Sequence, residues 1–279
     1  MEKYDSLKKI VVYDFKQTSG GIGDNIKYFV YLLTICIKNN FKLYYKINNT
    51  FIEKHLLLKY EKMYIDNNSI TIQHEITCIN DLQNINENIY NIVKPSIFYT
   101  GQPFHNTVEV SNSDVFYFSD IVKTHSKVLL SPNISNYISI HLRLGDKYIE
   151  TDKSFECPND ISVVNFVAND IRDFNEKKLF SFIKKNSNNN ILFFCDNNSY
   201  KLKLKALFNN IIITNCEIAH TALTNTTDKQ TIDALTEMYL LSNSEKIYAA
   251  SRSGFSYVAS NFNNIPWIPM MPNISDRAI

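Results

Sequence analysis

The second half of the chain alternates short runs of β-branched or aromatic residues with amphipathic segments, and this alternation constrains its fold most. Runs typical of strands lie at 137–143, 191–195, 211–213 and 246–250. Segments whose apolar residues recur at helical spacing lie at 176–186, 199–208, 230–242 and 253–262. Strands that alternate with helices in this way predict a parallel sheet whose two faces are both covered by helices.

The first half begins with a similar unit. A predicted strand at 9–15 is followed by a glycine-rich turn, a predicted helix at 25–40 and a second strand at 41–47. Asp24 and Asn25 are the candidate caps of that helix, because their short polar side chains can accept hydrogen bonds from its first N–H groups. This order of elements is the start of another α/β layer.

The stretch between the two clear regions is less regular. Residues 50–130 mix short apolar runs with polar loops and define no topology, and a polar segment at 131–135 has the composition of a connector. We therefore predict an α/β fold of two Rossmann-like domains, residues 1–131 and 132–279, that face each other across a cleft.

The charge of the chain limits its partners. Its 279 residues carry 29 basic and 28 acidic side chains, a formal net charge of +1, and no block of lysine or arginine stands out. Nucleic acids are bound chiefly through phosphate contacts with basic surfaces. We therefore expect no nucleic-acid partner, although this composition is compatible with a local basic pocket for a smaller phosphate-bearing ligand.

Cysteine spacing and hydropathy bear on the compartment. The chain has five cysteines, an odd number with wide spacings and no CxxC pair: Cys36, Cys78, Cys157, Cys195 and Cys216. That pattern indicates neither a zinc motif nor a disulfide framework and favours reduced thiols. The charged N-terminal segment is unlike a signal peptide, and no apolar run approaches the roughly 18–20 residues of a membrane span. We expect a cytoplasmic chain without an integral membrane segment.

The glycine-rich turn at 20–24 contains Gly21, Gly23 and Asp24 and leads into the first predicted helix. It is not a dinucleotide fingerprint, because Ile26 stands where the third glycine belongs, and no Gly-Lys-Ser/Thr follows to make a Walker A loop. Free N–H groups and the helix dipole at such a helix start favour an anion or a closely packed ligand. The alternative is an ordinary tight turn.

A second motif, His141-x-Arg143-x-Gly145-Asp146, lies at the carboxyl end of the predicted strand 137–143. In open α/β sheets, the carboxyl ends of the strands form the ligand crevice. An arginine there can hold a diphosphate in fork geometry, and a histidine two residues earlier points to the same face of the strand. The alternative is a core histidine beside a salt bridge between Arg143 and Asp146.

A third motif, at 251–256, reads Ser-Arg-Ser-Gly-Phe-Ser and joins a predicted strand to a predicted helix. The hydroxyl groups and N–H groups of Ser253, Gly254, Phe255 and Ser256 suit phosphate oxygens. The same residue types are also good helix caps, which is the structural alternative.

Asp196 and Asn197 follow the predicted strand 191–195. A carboxylate at a strand end can accept hydrogen bonds from a sugar or a base edge, or it can cap the next helix. The chain contains no Asp-x-Asp pair to bridge a divalent metal and a diphosphate, and no G-x-S-x-G elbow of a hydrolase. We assign His220 to packing and expect no metal at the site.

Three of these motifs, in this order, resemble those of the fucosyltransferase superfamily that includes the α-1,2-, α-1,6- and protein O-fucosyltransferases. The turn at 20–24 is similar to the N-terminal glycine motif of that superfamily, and 140–146 is similar to its H-x-R-x-G/T-D motif. Residues 237–242, followed by 253–256, resemble its C-terminal pattern D-x-x-x-[ML]-S…S-T-F-S. The resemblance spans about residues 9–262.

The sequence departs from the superfamily pattern at three positions. Leu144 stands where many members have a second arginine, and Gly254 stands where they have threonine. Glu237 replaces the usual aspartate, and Asp233 is its rival for that role. These departures concern the donor and the linkage more than the fold.

The resemblance implies a GT-B fold and a metal-independent glycosyltransferase that moves fucose from GDP-fucose to a glycan or another hydroxyl acceptor, with no cofactor. It assigns Arg143 to the β-phosphate, with support from His141, and Glu237 to the guanine or ribose. By that resemblance, residues 1–131 take the acceptor side and 132–279 bind the nucleotide sugar.

The candidates for donor contact, taken from the motifs and from the resemblance together, are Gly21, Gly23, Asp196, Glu237, Ser253, Gly254, Phe255 and Ser256. Asp24 is the candidate base for the acceptor hydroxyl, because it lies at the glycine turn that faces the expected cleft. The alternatives are a GT-B transferase with another nucleotide-sugar donor, an inactive domain that binds a glycan or nucleotide, and an α/β structural protein whose motifs are only turns and caps.

Overall fold

Two five-stranded parallel sheets organise the computed structural model, which describes residues 10–15, 21–65, 74–76, 89–92, 110–130, 134–144, 164–165, 173–219, 221 and 225–270. One sheet is built from strands of the first 92 residues, and the other is built from strands after residue 137. The predicted α/β class is confirmed.

The strands are β1 (Ile10–Tyr13), β2 (Lys42–Lys46), β3 (Leu56–Leu58), β4 (Tyr64–Ile65), β5 (His74–Ile76), β6 (Ile89–Ile92), β7 (Phe116–Phe118), β8 (Ile138–Leu142), β9 (Val164–Asn165), β10 (Asp173–Phe174), β11 (Ile191–Cys195), β12 (Ile211–Ile213), β13 (Ile247–Ala249) and β14 (Trp267–Pro269). The helices are α1 (Ile22–Lys38), α2 (Phe51–His55), α3 (Asn112–Val115), α4 (Asp120–Leu129), α5 (Glu176–Lys185), α6 (Asn198–Leu207), α7 (Asp228–Ser242) and α8 (Gly254–Ser260). Among these, none has the length and hydropathy needed to cross a bilayer.

Strand order gives each large sheet a topological switch point. The second sheet has the order β12-β11-β8-β13-β14, with all neighbours parallel. From the central strand β8 the chain builds outward to β11 and β12, then crosses over to β13 and β14. In the first sheet, β4-β2-β1-β6-β5, all neighbours are also parallel. Its strands are added on one side of β1 first and then on the other, so the strand order reverses beside β1. Ligands of open α/β sheets bind at such reversals, outside the carboxyl ends of the strands.

The first helix, α1, begins earlier than the sequence predicts. Gly21 is its N-cap, and the Asp24 carboxylate in its first turn accepts the Gly21 N–H, with an Oδ2–N distance of 3.3 Å. This hydrogen bond closes the first turn ahead of Asp24 and Asn25. The prediction that one of those two residues is the cap is therefore wrong, because both lie inside the helix.

The end of α1 is defined by an asparagine. Asn40 has a φ of 57°, in the left-handed region that glycine usually occupies. The Asn40 N–H bonds to the Ile37 carbonyl at 3.2 Å, and the Phe41 N–H bonds to the Cys36 carbonyl at 2.8 Å. These two bonds form a Schellman motif, which stops the helix and turns the chain into β2.

Two hydrophobic cores lie on the two faces of the second sheet. One core joins both halves, because α1 is buried on nearly all sides between the first sheet and α8. Its members include Tyr13, Phe29, Phe116, Leu241 and Val258. The other core lies on the far face, where β8 contributes Ile138, Ile140 and Leu142 and helices α5 and α6 cover the sheet. Every residue of β8 is buried as a result.

The stretch 50–130, for which the sequence defines no topology, contributes short elements. An antiparallel pair, β3 and β7, lies between α2 and α4, and α4 packs against α7 of the second half. Apart from the ten-residue α4, which the sequence analysis did not identify, the described elements of this stretch have two to five residues and are too short to show a period. The domain boundary near residue 131 and the cleft between the halves stay predictions.

Candidate functional site

Arg143 directly follows β8, the central strand at which the order of the second sheet reverses. Asp196 follows β11 directly, and the register Leu142↔Cys195 makes it a lateral neighbour of Arg143. Arg143 Nη1 is 3.3 Å from Asp196 Oδ2, and the two side chains are only 16% and 7% exposed. An ion pair this enclosed restricts the orientation of the arginine more than a surface pair does.

Asp196 holds the end of β8 as well as the guanidinium. Its Oδ1 accepts the Leu144 N–H at 2.7 Å, while its Oδ2 faces Arg143. Of the two alternatives for Asp196, the one in which it caps the next helix is excluded, because Asn197 is the N-cap of α6 and accepts the Tyr200 N–H at 2.8 Å. We therefore interpret Asp196 as a residue that positions Arg143, and its contact with a donor stays a prediction.

Ser251, the first residue of the third motif but not one of the predicted donor contacts, joins the strand ends on either side of the switch point. The Ser251 hydroxyl accepts the Arg143 N–H and donates to the Arg143 carbonyl, both at 2.8 Å. The Ala250 N–H bonds to the His141 carbonyl at 2.9 Å and continues the ladder between β8 and the chain beyond β13. The backbone of Arg143 is thus held from β13 while its side chain is held from β11.

The glycine turn meets the second half of the chain directly. A Cβ atom on Gly23 would lie 3.3 Å from Cα of Phe255, and one on Gly21 would lie 2.9 Å from Oγ1 of Thr221. The Ile22 N–H donates to that same threonine hydroxyl at 3.1 Å. The start of α1 therefore approaches the second half so closely that a side chain at either position would be crowded. This packing explains glycine at both positions, whether or not these residues also face a donor.

Phe255 connects the glycine turn to the histidine of the second motif. The rings of His141 and Phe255 stack with centroids 5.6 Å apart and planes inclined by 28°. Phe255 also lies against Gly23, so residues from all three sequence motifs meet at one place. Gly145 and Asp146 of the second motif, and His220, lie outside the described residues.

The serine-rich turn divides between the site and the core. Ser253 is the N-cap of α8, and its hydroxyl accepts the Phe255 N–H at 3.3 Å, while Gly254 is the first residue of the helix. Ser256 is fully buried, and its hydroxyl accepts the Trp267 indole N–H at 3.2 Å. The Ser256 side chain therefore packs against β14, and its contact with a donor stays a prediction.

Arg252 is a further cation at this turn, and it is not among the predicted site residues. It lies between Ser251, which holds the Arg143 backbone, and Ser253, which caps α8, and it is partly buried. The signal was present in the sequence, because Arg252 is flanked by two serines in a turn after a strand. That this turn lies next to Arg143 could not be read from the sequence, because it depends on β13 lying beside β8.

Glu237 lies on α7 over the carboxyl end of β12. Its Oε1 bonds to the Thr214 hydroxyl and lies 3.4 Å from Nζ of Lys201, a lysine that is 1% exposed. The same Nζ donates to the Thr214 carbonyl at 3.2 Å. A buried ammonium needs such partners, so Lys201 and Thr214 hold the carboxylate of Glu237 in place. The rival Asp233, one turn earlier, contacts α4 through His125 instead.

Asp24 is engaged in local contacts of α1. Besides accepting the Gly21 N–H, its carboxylate lies 3.4 Å from Nζ of Lys27. Burial lowers the pKa of Lys27, and the nearby Asp24 carboxylate opposes that effect. These contacts explain an acidic residue in the first turn of a helix, and the role of Asp24 as a base stays a prediction.

The described cysteines are poor nucleophiles. Burial raises the pKa of Cys36 to about 12, and burial also raises the pKa of the Cys195 and Cys216 thiols, with further contributions from nearby carboxylates. A thiol acts as a nucleophile only as its thiolate. Within the described part of the chain, the charged and hydroxyl groups are therefore better suited to chemistry than these three thiols.

Several solved structures share this fold. A mutant of FUT1 from Arabidopsis thaliana in complex with GDP superposes with a TM-score of 0.58 at 14% identity, over 94% of this chain and 70% of that chain. NodZ, an α-1,6-fucosyltransferase from Bradyrhizobium, has a structure soaked with GDP-fucose that gives 0.57 at 10% identity, over 91% and 93% of the two chains. POFUT1 in complex with GDP gives 0.52 at 9% identity, over 94% and 98%.

Comparison of the sequence alone identifies no relative. No protein-family model matches the sequence, and comparison with curated protein sequences finds no match. The likeness to the solved structures therefore concerns the path of the chain and not its sequence. The chain has the GT-B fold of these fucosyltransferases, as its three motifs predict.

Proposed function

We propose that this chain is a glycosyltransferase that takes GDP-fucose as donor and transfers fucose to a hydroxyl group of a glycan or another acceptor. The proposal is supported by the fold, which it shares with fucosyltransferases whose structures contain GDP or GDP-fucose. It is also supported by the convergence of the three motifs at one edge of the second sheet.

The observation that carries the proposal is the position of Arg143. It directly follows β8, the strand at which the strand order reverses, and open α/β sheets bind their ligands outside the carboxyl ends of the strands at such a reversal. Negative charge grows on the diphosphate as the sugar leaves, and a cation that is already oriented stabilises that charge without reorganising. Asp196 and Ser251 supply the orientation, one through the side chain and the other through the backbone.

Arg252 is proposed as a second cation for the diphosphate. Leu144, at the position where resembling enzymes have a second arginine, is fully buried in the far core and offers no charge. Arg252 enters the same edge from β13, next to the serine that holds the backbone of Arg143. Two guanidinium groups from the two strands that flank the switch point would share the charge of the two phosphates.

The remaining roles follow from position. Glu237, held by Lys201 and Thr214, is proposed to accept hydrogen bonds from the base or ribose. Ser253 and Gly254 are proposed to lie against the diphosphate, and Asp24 is proposed as the base that takes the acceptor proton. In this mechanism arginine side chains, and not a metal ion, neutralise the leaving group.

Nucleotide binding tests the proposal directly. Isothermal titration with GDP, UDP and ADP is expected to show the tightest binding for GDP. Arg143→Ala is expected to weaken GDP binding and to lower GDP-fucose turnover by on the order of 10²–10³. Lys177→Ala is the matched control, because it removes an exposed positive charge from α5, on the far face of the sheet.

Two outcomes would contradict parts of the proposal. If GDP bound no more tightly than UDP and ADP, the donor would not be a GDP sugar. If GDP bound tightly but GDP-fucose gave no turnover with any member of a glycan panel, the chain would be a nucleotide-binding domain and not an enzyme. An unchanged GDP affinity in Arg143→Ala would remove the residue on which the mechanism depends.

A further inference from the structure

Three potential metal ligands from separate elements meet on the side of α7 that faces the first half. They are His125 of α4, Cys216 beyond β12, and Asp233 of α7. One ligand atom from each, a ring nitrogen, a sulfur and a carboxylate oxygen, lie within 4.8 Å of one another. The residues are far apart in the sequence, so no local spacing motif announces the cluster.

We propose that His125, Cys216 and Asp233 bind a Zn²⁺ ion that links the two halves of the chain. Imidazole nitrogen, thiolate sulfur and carboxylate oxygen are the three donor types that zinc accepts in proteins, and a mixed set of this kind favours Zn²⁺ over Mg²⁺ or Ca²⁺, which prefer oxygen alone. The proposal is independent of the transferase reaction.

The carboxylate of Asp233 is arranged as a metal-binding carboxylate would be. Its Oδ1 and His125 Nε2 are 2.7 Å apart and share a hydrogen bond, so both proposed donors lie side by side and a zinc ion would replace the proton between them. Its Oδ2 accepts the Glu217 N–H at 2.8 Å and lies 3.2 Å from Lys229 Nζ. Hydrogen bonds to the second oxygen fix the orientation of a ligating carboxylate, as outer partners do at known metal sites.

Charge and access are compatible with a zinc ion. A thiolate and a carboxylate together neutralise one Zn²⁺, and binding releases the thiol proton of Cys216 to solvent. Cys216 and Asp233 are buried, whereas the His125 side chain is 31% exposed. Solvent can therefore reach the cluster along His125, and a water molecule can complete a tetrahedral set of four ligands.

The ion would act as a structural link. His125 belongs to α4 of the first half, whereas Cys216 and Asp233 belong to the second half. A neighbouring contact, His55 with Asp228 at 2.9 Å, also joins the halves at α7, but it is a histidine–aspartate pair that is not part of the described three-ligand group. That second pair provides an internal control for the role of the thiol.

Zinc content is the first test. The protein, carrying Cys78→Ser and Cys157→Ser so that those thiols cannot bind metal, is stripped with a chelator and dialysed against ZnCl₂. We expect about one zinc per chain by elemental analysis, and a rise in Tm of several degrees. Cys216→Ser and His125→Gln are expected to lose both the zinc and the rise in Tm. Cys36→Ser and His55→Gln are the matched controls and are expected to keep both.

Cobalt gives a spectroscopic signature of the thiolate. Replacing zinc with CoCl₂ is expected to produce a near-ultraviolet charge-transfer band that Cys36→Ser retains and Cys216→Ser lacks. The proposal is overturned if the parent protein, with or without Cys78→Ser and Cys157→Ser, holds no zinc and shows no such band, a result that does not depend on the folding of the Cys216 or His125 variants. It is also overturned if Cys216→Ser or His125→Gln binds zinc as well as the parent does.

Discussion

Each large sheet carries a charge pair at the carboxyl ends of two adjacent strands, and the two pairs are arranged in opposite order. In the first sheet, Asp14 follows the central strand β1, and its Oδ2 is 2.7 Å from Nζ of Lys46 at the end of β2. In the second sheet, Arg143 follows the central strand β8, and Asp196 follows β11. The anion is central in the first half, and the cation is central in the second half.

The surroundings of the two pairs differ as well. The Asp14 side chain is 3% exposed, and its Oδ1 also accepts a hydrogen bond from Asn48 Nδ2 at 3.0 Å, so a local network encloses the carboxylate. Arg143 lies instead beside the serine-rich turn, with Arg252 close by in the sequence of that turn. The two sheets therefore have similar topology but different charges at the carboxyl ends of their strands. The second sheet has its cation after the central strand, at the switch point where an anionic ligand would bind, whereas the first sheet has an anion there.

Exchanging the cations tests this difference most strongly. Arg143→Lys keeps the charge but loses the fork that can grip two phosphate oxygens, so kcat/KM for GDP-fucose is expected to fall by roughly tenfold or more. Lys46→Arg in the first sheet is the matched control and is expected to leave kcat/KM nearly unchanged. Steady-state kinetics of the two variants gives the comparison, and equal losses would contradict the assignment of the anion site to the second half.

Removing the charge of Asp196, the partner of Arg143, is expected to have the next largest effect. Asp196→Asn keeps an oxygen for the Leu144 N–H but removes the charge that orients Arg143. Because a misplacement of a functional group by about 1 Å can cost on the order of 10²-fold, we expect kcat to fall by roughly tenfold with a smaller change in GDP affinity. If GDP affinity fell while kcat held, Asp196 would contact the donor and not act through Arg143.

The corresponding change in the first sheet is expected to affect stability and not catalysis. Asp14→Asn leaves Lys46 without its partner in a mostly buried place, which should lower the free energy of unfolding by about 2 kcal/mol. Urea denaturation measures that loss, and titration with GDP should give the same affinity as the parent chain. A weaker affinity for GDP would mean that the first edge also belongs to the donor site.

The smallest effect is expected at the serine that joins β8 to the chain beyond β13. Ser251→Ala removes a donor and an acceptor from the backbone of Arg143, so we expect a loss of about 1–2 kcal/mol in the free energy of unfolding. Since Asp196 still holds the side chain, kcat should fall by less than in Asp196→Asn. A larger loss of kcat in Ser251→Ala would show that the backbone bond, and not the ion pair, positions the guanidinium.

The regular half of the fold was largely predictable from local pattern. The strands Ile191–Cys195 and Ile211–Ile213 have the predicted bounds, and α5, α6 and α7 begin and end within two residues of the predicted helices. These segments are long or strongly apolar, so their own residues define the period. Asp24 shows the limit of such reasoning, because a capping residue looks alike at the N-cap and three residues inside the helix.

The partners within the site could not be derived in the same way. The sequence alternatives for Arg143 named only Asp146 nearby, which lies outside the described residues, and did not name Asp196, more than fifty positions away, with which the structure shows an ion pair. That pairing depends on β11 lying beside β8, which no residue of either strand specifies. The reason for glycine at positions 21 and 23 could not be derived from the sequence either, since the residues that approach them lie in the second half of the chain.

By itself, the sequence determined that the chain is α/β, where its strands end, and which cation, Arg143, stands at such an end. Only the tertiary structure decided which strands are neighbours, and therefore that Asp196 and Ser251 hold that arginine and that His125, Cys216 and Asp233 meet. The physical reason is the distance along the chain over which each kind of interaction acts. Periodicity and capping act over a few residues along the chain, whereas strand order follows from how all the helices and sheets bury their apolar faces together.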